Sequence, residues 1–264
     1  MVKGVLHIHS TYSDGEFSIA ELRELYLAAG CRFACITDHA DWFDEERLVA
    51  YKRDCGAYSD DHFRFIPGLE YSCVNRMHIL GYGVTALVDS VDPETVIGRI
   101  TDLGGLSVIA HPKDAAFDAI ERFDPLPDGI EVWNSKYDGR YAPRPATFAL
   151  LGRLRERRPS MRAFYGQDLH WRRQYRGLLT LLSGDACDAG SVLTGLRRGA
   201  YVGVKDGLQL PSDGVLDPGL VAGFQRRHDQ SQSVRLLIKR AKASADRLGL
   251  TVPGSVKAQL RRIF

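Results

Sequence analysis

Short apolar runs alternate with amphipathic stretches along the first two thirds of the chain. Seven of the runs have the length of strands, at residues 2–8, 33–37, 63–71, 78–82, 106–110, 129–133 and 161–165. Helical spacing of apolar residues follows at 18–30, 45–58, 93–103 and 144–157. Because repeated β-α units build mainly parallel sheets, this order predicts an α/β fold whose sheet is either closed as a barrel or left open.

Composition narrows the class of protein. The chain has 264 residues, of which 44% are hydrophobic and 26% charged, as is typical of a globular protein with a sizeable core. Collagenous, disordered and disulfide-rich classes are therefore excluded. The five cysteines include no C-x-x-C pair, so we expect reduced, mostly buried thiols and no thiolate zinc site.

The hydropathy of the chain indicates in which cellular compartment the protein is expected. No apolar stretch approaches the ~18 residues that a membrane-spanning helix needs. Residues 1–10 also carry charged and titratable groups where a signal peptide would be apolar. We therefore expect a cytoplasmic protein with no membrane partner, and its oligomeric state is left open.

Charge divides the chain into two parts. Residues 217–264 contain ten Lys and Arg against three Asp and Glu, a net charge of +7, which leaves −5 for residues 1–216. We predict a domain over 1–216 and a basic helical extension over 217–264. Within the extension an apolar stripe at helical spacing favours a helix packed on the body with a solvated basic face. The stripe comprises Val234, Leu237, Ile238, Ala241, Ala245 and Leu248. A nucleic-acid partner is possible but not favoured.

Histidines and acids cluster at the ends of the predicted strands. His7 and His9 lie at the end of the first strand, and Asp168 and His170 follow the last, so each pair shares one face. A parallel barrel gathers the carboxyl ends of its strands around one pocket, where His39, Glu70 and His111 would also project. Imidazole and carboxylate ligands without thiolate suit zinc, manganese or iron. His62 and His228 fall outside this pattern and are expected to be ordinary surface or core residues.

Six segments in order resemble the PHP (polymerase and histidinol phosphatase) superfamily. They are His7-Ile-His9 with Ser13-Asp14-Gly15, Ile36-Thr-Asp-His39, Pro67-Gly-Leu-Glu70, His78-Ile-Leu-Gly81, Ile109-Ala-His111-Pro112 and Gly166-Gln-Asp168-Leu-His170. The resemblance covers residues 7–170. It implies a distorted (β/α)7 TIM-like barrel with a metal site at the carboxyl ends of its strands.

The resemblance also implies a trinuclear site with two to three divalent transition metals. Carried over by position, the first metal's ligands are His7, His9, Glu70 and Asp168. Glu70 would bridge to a second metal held also by His78 and His111. The third metal would be held by Asp14, His39 and His170. The family often has Ser where Gln167 stands, and Asp38 is expected to support the site without being a ligand.

Basic residues near the predicted site are candidates for binding a phosphate. Lys136, Arg140 and Arg144 follow the strand at 129–133, and Arg172 and Arg173 come just after His170. Guanidinium groups bind phosphate oxygens bidentately, which favours a clamp at the rim. Arg144 could instead lie at the start of a water-exposed helix, and either Lys136 or Arg140 could pair with Asp138.

These observations predict a metal-dependent phosphoesterase acting on a small phosphomonoester, either a metabolite or a nucleotide. A metal-bridging hydroxide would attack phosphorus, with Glu70, Asp168 and His170 as the catalytic set. One alternative is a phosphodiesterase or exonuclease on nucleotides or oligonucleotides, and another is a non-catalytic metal-stabilised binding module. Amidohydrolase barrels also begin with H-x-H, but Asp14 and the Asp168 and His170 pair fit them poorly.

Overall fold

The computed structural model describes residues 1–139, 142–185 and 187–247, which form ten strands in one sheet. The strands are β1 (Val2–Ile8), β2 (Phe33–His39), β3 (Arg64–Cys73), β4 (Met77–Tyr82), β5 (Leu106–Ala110), β6 (Gly129–Asn134), β7 (Arg162–Gly166), β8 (Leu179–Leu182), β9 (Tyr201–Lys205) and β10 (Leu208–Pro211). The first seven correspond to the seven predicted strands. The predicted α/β class is therefore confirmed.

In the described part of the chain, seven α-helices connect or follow these strands. They are α1 (Ile19–Ala28), α2 (Glu45–Ala57), α3 (Pro93–Asp102), α4 (Phe117–Ile120), α5 (Pro145–Arg157), α6 (Ala189–Arg198) and α7 (Pro218–Arg247). Local sequence explains where several begin. Ser18 and Glu21 form a capping box at the start of α1. Asp92 caps α3, since its side chain accepts a hydrogen bond from the Thr95 N–H. Each cap satisfies backbone donors that the first helical turn leaves unpaired.

Strands β1 to β7 form a nearly closed barrel. The sheet order is β10-β9-β8-β1-β2-β3-β4-β5-β6-β7, so β1 and β7 are separated in the hydrogen-bonded series. The chain just after β7 returns to β1, where the Asp168 N–H donates to His7 O at 2.7 Å and the His9 N–H donates to Leu169 O at 3.0 Å. The predicted distorted TIM-like barrel is thereby confirmed.

The distortion lies in β4, which runs antiparallel to both β3 and β5. A short turn, Val74–Arg76, replaces the helix that a regular β-α unit would have here. Because β4 is reversed, its first residues lie at the edge where β3 and β5 end. His78 pairs with Ser72 and Ala110 across the sheet and so reaches the same rim as the other histidines.

Strands β8, β9 and β10 extend the sheet beyond β1 and were not predicted. Each pairs antiparallel with its neighbour, and β8 pairs antiparallel with β1. Helix α6 connects β8 to β9 and ends at Gly199, whose φ of 73° is the left-handed conformation common at helix ends. The extension covers the edge of β1 that faces away from β2.

Helix α7 begins at Pro218, close to the predicted boundary at residue 217. Phe224 is buried in the core, with 3% of its surface exposed, whereas Leu237 in the predicted apolar stripe is 63% exposed. Leu248, the last residue of that stripe, lies outside the described residues. The division into two domains therefore stays a prediction, and the contacts with the core are concentrated at the start of the helix.

Two other expectations concern cysteines and membranes. All five cysteines are free, and four of them are buried, as predicted. Within the described part of the chain, no helix combines the length and apolarity needed to cross a bilayer.

Candidate metal centre

Nine side chains predicted as metal ligands converge at the carboxyl ends of the barrel strands. They fall into four groups whose ligand atoms lie within 4.8 Å of one another. The groups are His9 with Asp14, His39 and His170; His7 with His9 and Asp168; His7 with Glu70 and His111; and His39 with Glu70 and His78. His62 and His228 belong to none of these groups, which include every predicted ligand.

Glu70 lies at the centre of the cluster at the end of β3. Its Oε2 lies 3.2 Å from His9 Nε2 and 3.3 Å from His7 Nε2. Its Oε1 lies 2.7 Å from His78 Nδ1 and 3.3 Å from His111 Nε2. Burial opposes ionisation of Glu70, but His7 and the hydrogen-bonding histidines hold its pKa well below the usual value. His39 Nδ1 also lies 3.4 Å from Oε2, so the two oxygens face different sets of histidines, as a bridging ligand would.

Asp168 approaches the same histidines from the end of β7. Its Oδ1 lies 3.2 Å from His170 Nδ1 and 3.5 Å from His9 Nε2, and its Oδ2 lies 3.7 Å from His111 Nε2. Burial disfavours the charged form, yet the surrounding cationic groups keep the pKa of Asp168 well below its usual value. Asp168 is therefore an anion held among imidazoles.

The outer part of the cluster contains Asp14, His39 and His170. Asp14 Oδ1 lies 3.2 Å from His170 Nε2 and 3.6 Å from His39 Nε2. Burial acts to raise the pKa of Asp14, but its hydrogen bond and charge interaction with His170 lower that pKa to about 2. Burial acts to lower the pKa of His170, but Asp14 and Asp168 raise it to about 9. Burial lowers the pKa of His39 to about 4.

The His9 side chain tests whether the cluster fits a metal. It is fully buried, and neither ring nitrogen has a hydrogen-bond partner, although Nε2 lies near Glu70 and Asp168. A buried polar group without a partner is costly, and native proteins rarely leave one. Coordination of a cation by Nε2 would satisfy one of the two nitrogens, so the donor set fits zinc, manganese or iron.

The backbone is strained at three of the candidate ligands. The φ angles of His7, His111 and Asp168 are 58°, 30° and 53°, in the left-handed region that side chains with a Cβ rarely adopt. The pairing of β1 with β2 also shifts register between Leu6 and Ile8, at the position of His7. Such strain is often found at functional sites, where the geometry of the site requires it.

Side chains behind the cluster hold the ligand segments in place. Asp38 belongs to none of the four ligand groups, and its carboxylate accepts hydrogen bonds from Ser10 and Ser13, which adjoin His9 and Asp14. Sequence reasoning did not single out Glu131 and Asn134 on β6, which contact the cluster from beneath. An acidic residue inside an otherwise apolar strand was the available signal for Glu131.

Among the described phosphate-binding candidates, Lys136 directly contacts the cluster. Its Nζ lies 3.0 Å from Asp168 Oδ1 and within 3.3 Å of His170 Nδ1, and its side chain is 19% exposed. Burial acts to lower the pKa of Lys136, but Asp168 raises it above the usual value. Lys136 is therefore a cation at the border between the cluster and solvent.

The other predicted phosphate-binding residues lie in different surroundings. Arg144 Nε and Nη1 each lie 2.7 Å from a carboxylate, of Asp138 and Asp114 respectively, and Nη2 donates to Pro112 O. These contacts favour a structural role for Arg144 at the start of α5. Arg172 is exposed, with its guanidinium over the Phe17 ring. Arg140 lies outside the described residues, and substrate binding by all of these residues stays a prediction.

Comparison with curated proteins found a relative that matches part of the chain in sequence. No family model matches the chain. A DNA polymerase/3'-5' exonuclease PolX of Bacillus subtilis is 36% identical over 77 residues, which are 26% of this chain and 14% of that protein. The chain thus matches a small part of this much longer relative.

Solved structures with a similar fold cover more of the chain. A two-domain protein from Bacteroides vulgatus, containing a predicted PHP-like metal-dependent phosphoesterase, has a TM-score of 0.57 and 13% identity, covering 79% of this chain and 66% of that one. PsfC from Pseudomonas syringae has a TM-score of 0.52 and 18% identity over 73% of this chain and 88% of its own. An amidohydrolase from Chromobacterium violaceum has a TM-score of 0.50 and 16% identity, covering 70% of this chain and 92% of its own.

These structural neighbours identify the fold of the chain. The chain has the fold of PHP-like proteins, so the resemblance seen in its motifs is confirmed at the level of the fold.

Proposed function

We propose that the protein is a metal-dependent phosphoesterase that hydrolyses a small phosphomonoester. The observation that carries this proposal is the convergence of nine imidazole and carboxylate side chains, with the buried Glu70 at their centre. The phosphoesterase in the Bacteroides vulgatus neighbour and the PolX relative agree with a hydrolase of phosphoric esters. A non-catalytic module is disfavoured because every predicted ligand position is occupied by a ligating residue.

The four ligand groups support a site for two to three divalent transition metals, with zinc, manganese or iron as candidates. His7, His9, Glu70 and Asp168 would hold the first, with Glu70 shared toward His78 and His111. Asp14, His39 and His170 would hold the third. Bound metals would supply positive charge for phosphate oxygens and a water of lowered pKa. Burial acts to lower the pKa of His170, but Asp14 and Asp168 raise it to about 9, so metal binding there must displace the second imidazole proton, since a ligating imidazole is neutral.

The chain's own residues then position the substrate. Glu70 and Asp168 are buried anions that fix the imidazoles around them, and His170 connects Asp168 to Asp14. Lys136 Nζ lies at the border of the cluster, where it can donate to a phosphate oxygen. The carboxylates of Glu70, Asp168 and Asp14 would leave net positive charge uncompensated when two or three divalent metals bind. A dianionic monoester therefore suits the site better than a diester, which has one negative charge.

Turnover of matched substrates tests the proposal. Metal-loaded protein should hydrolyse an aryl phosphomonoester faster than the corresponding bis-aryl diester. The Glu70→Ala variant, which lacks the central carboxylate, should be inactive on both. Comparable rates on the two esters would contradict the monoester proposal, and equal activity of the variant would contradict the site.

A second candidate function is a phosphodiesterase or exonuclease acting on nucleotides or short oligonucleotides. The partial match to PolX favours it, because that relative is described as a 3'-5' exonuclease. The net charge of −5 over residues 1–216 opposes it, since a long polyanion would be repelled. Release of mononucleotides from a short oligonucleotide at rates above those for the monoester would favour the second candidate.

A further inference from the structure

A buried carboxylate lies directly beneath the metal cluster on β6. Glu131 is fully buried, yet none of the ligand groups formed by the described residues includes it. Burial of a carboxylate is costly unless it is paired and hydrogen-bonded. We therefore expect that the buried Glu131 carboxylate has a role in the metal site.

Within the described residues, each hydrogen-bond partner of the Glu131 carboxylate is either a candidate ligand or contacts one. Oε1 lies 2.8 Å from His7 Nδ1. Oε2 accepts the backbone N–H of His111 at 2.8 Å and the side-chain amide of Asn134 at 2.9 Å. The same Asn134 amide lies 3.3 Å from Asp168 Oδ2. One carboxylate thus contacts His7 and His111 directly, and Asp168 through Asn134.

The neighbouring strand leaves room for this carboxylate. Gly166 on β7 pairs with Asn134 on β6. A Cβ at Gly166 would lie 1.6 Å from Glu131 Oε1 and 3.2 Å from His7 Cβ. Any side chain at this position would displace the carboxylate, so the glycine and the glutamate form one arrangement.

We infer that Glu131 is a positioning residue for the metal site proposed above, acting through His7 and His111 without coordinating metal. By accepting the Nδ1–H of His7, Glu131 leaves the lone pair of Nε2 directed at the cluster. By accepting the N–H of His111, it holds a backbone whose φ of 30° is otherwise unfavourable. This inference rests on the proposed function, since it assumes that the cluster binds metal.

The substitution Glu131→Gln separates this role from simple packing. Gln has the same shape but offers one acceptor oxygen and one NH2 donor. If its oxygen accepts from His7, its NH2 meets the donors of His111 and Asn134. If it is flipped, its NH2 donates to His7 Nδ1 and forces the proton onto Nε2. Either orientation disturbs a ligand.

Zinc binding to the metal-free full chain is the direct measurement, by competition with a chromophoric chelator. We expect Glu131→Gln to weaken the tightest zinc site about 10-fold to 100-fold, the range found for partners of ligating histidines. The visible absorption of the cobalt-loaded protein should change as well, because the orientation of His7 sets the coordination geometry. Asp128→Asn is the matched control, since Asp128 adjoins the opposite end of β6 and contacts Ser107 and Arg158. It should leave both measurements unchanged.

The outcomes are distinct. Wild-type affinity and an unchanged cobalt spectrum in Glu131→Gln would overturn the inference while the proposed function stands. Failure of the wild-type chain to bind zinc or cobalt would overturn both. Circular dichroism of the metal-free forms checks folding. If Glu131→Gln does not fold, Gly166→Ala carries the same test, because it displaces the carboxylate and should weaken zinc binding by a similar factor.

Discussion

The rim of the barrel and helix α7 place charged residues in opposite environments. At the rim, Glu70 and Asp168 are almost completely buried and each faces several imidazoles. On α7, Arg226 and Arg240 are exposed to solvent, and so is the apolar Leu237. Charge buried at one point is costly and persists where the arrangement has a function, whereas exposed charge on a helix costs little. The accumulation of basic residues on α7 is therefore weaker evidence of function than the few acids at the rim.

The largest difference in kcat/KM is expected between two Asp→Ala substitutions, one in each region. Asp168→Ala removes a buried anion from the cluster and should lower kcat/KM at least about 1000-fold, because metal charge and ligand placement both change. Asp229→Ala on α7, where the carboxylate accepts from Gln225, should leave kcat/KM unchanged. Steady-state kinetics on a phosphomonoester compares the two. Similar losses in both variants would remove the distinction between the regions.

Helix α7 itself contains a second contrast, between its start and its middle. Phe224→Ala should lower the free energy of unfolding by about 3 kcal/mol, because it leaves a cavity in the core. Leu237→Ala should change it by less than about 0.5 kcal/mol, since the side chain is exposed. Urea denaturation measures both. A large loss with Leu237→Ala would mean that the predicted apolar stripe is packed in solution.

Metal removal should destabilise the rim and leave α7 unaffected. A ligand at 100 times its Kd stabilises the native state by about 2.7 kcal/mol, so chelation should lower Tm by several degrees. Asp168→Ala should show little of this shift because its site is incomplete. If the Tm of zinc-saturated wild-type protein does not fall when excess chelator removes the zinc, the cluster is not a metal site.

A smaller effect should separate the two basic residues next to the rim. Lys136→Ala should lower kcat/KM about tenfold, as expected for loss of one charge-assisted contact. Arg144→Ala should mainly lower Tm, because Arg144 connects Asp138, Asp114 and Pro112. Kinetics and thermal melting of both variants make the comparison. A kinetic defect confined to Arg144→Ala would restore the predicted clamp.

The sequence by itself determined the first seven strands and the nine candidate ligands. Strands and their caps depend on local spacing, and motifs such as His7-Ile-His9 and Ile109-Ala-His111-Pro112 are contiguous, so both can be recognised without knowing the contacts between distant segments. Convergence of seven of these ligands followed from the rule that strand ends meet at one rim of a barrel, whereas Asp14 and His78 were assigned through the family resemblance alone.

Tertiary structure alone decided the features that depend on distant contacts. The reversal of β4 depends on its pairing with β3 and β5, and the short strands β8 to β10 are specified by pairing rather than by pattern. The contact of Arg144 with Asp114 joins residues 30 positions apart, and nothing in the sequence indicated this pairing. Glu131 contacts His7 across 124 residues, and a single acid in an apolar strand does not indicate which ligand it will support. Local patterns determine which residues form each element, but the partners of a buried polar group are determined by the packing of the whole barrel.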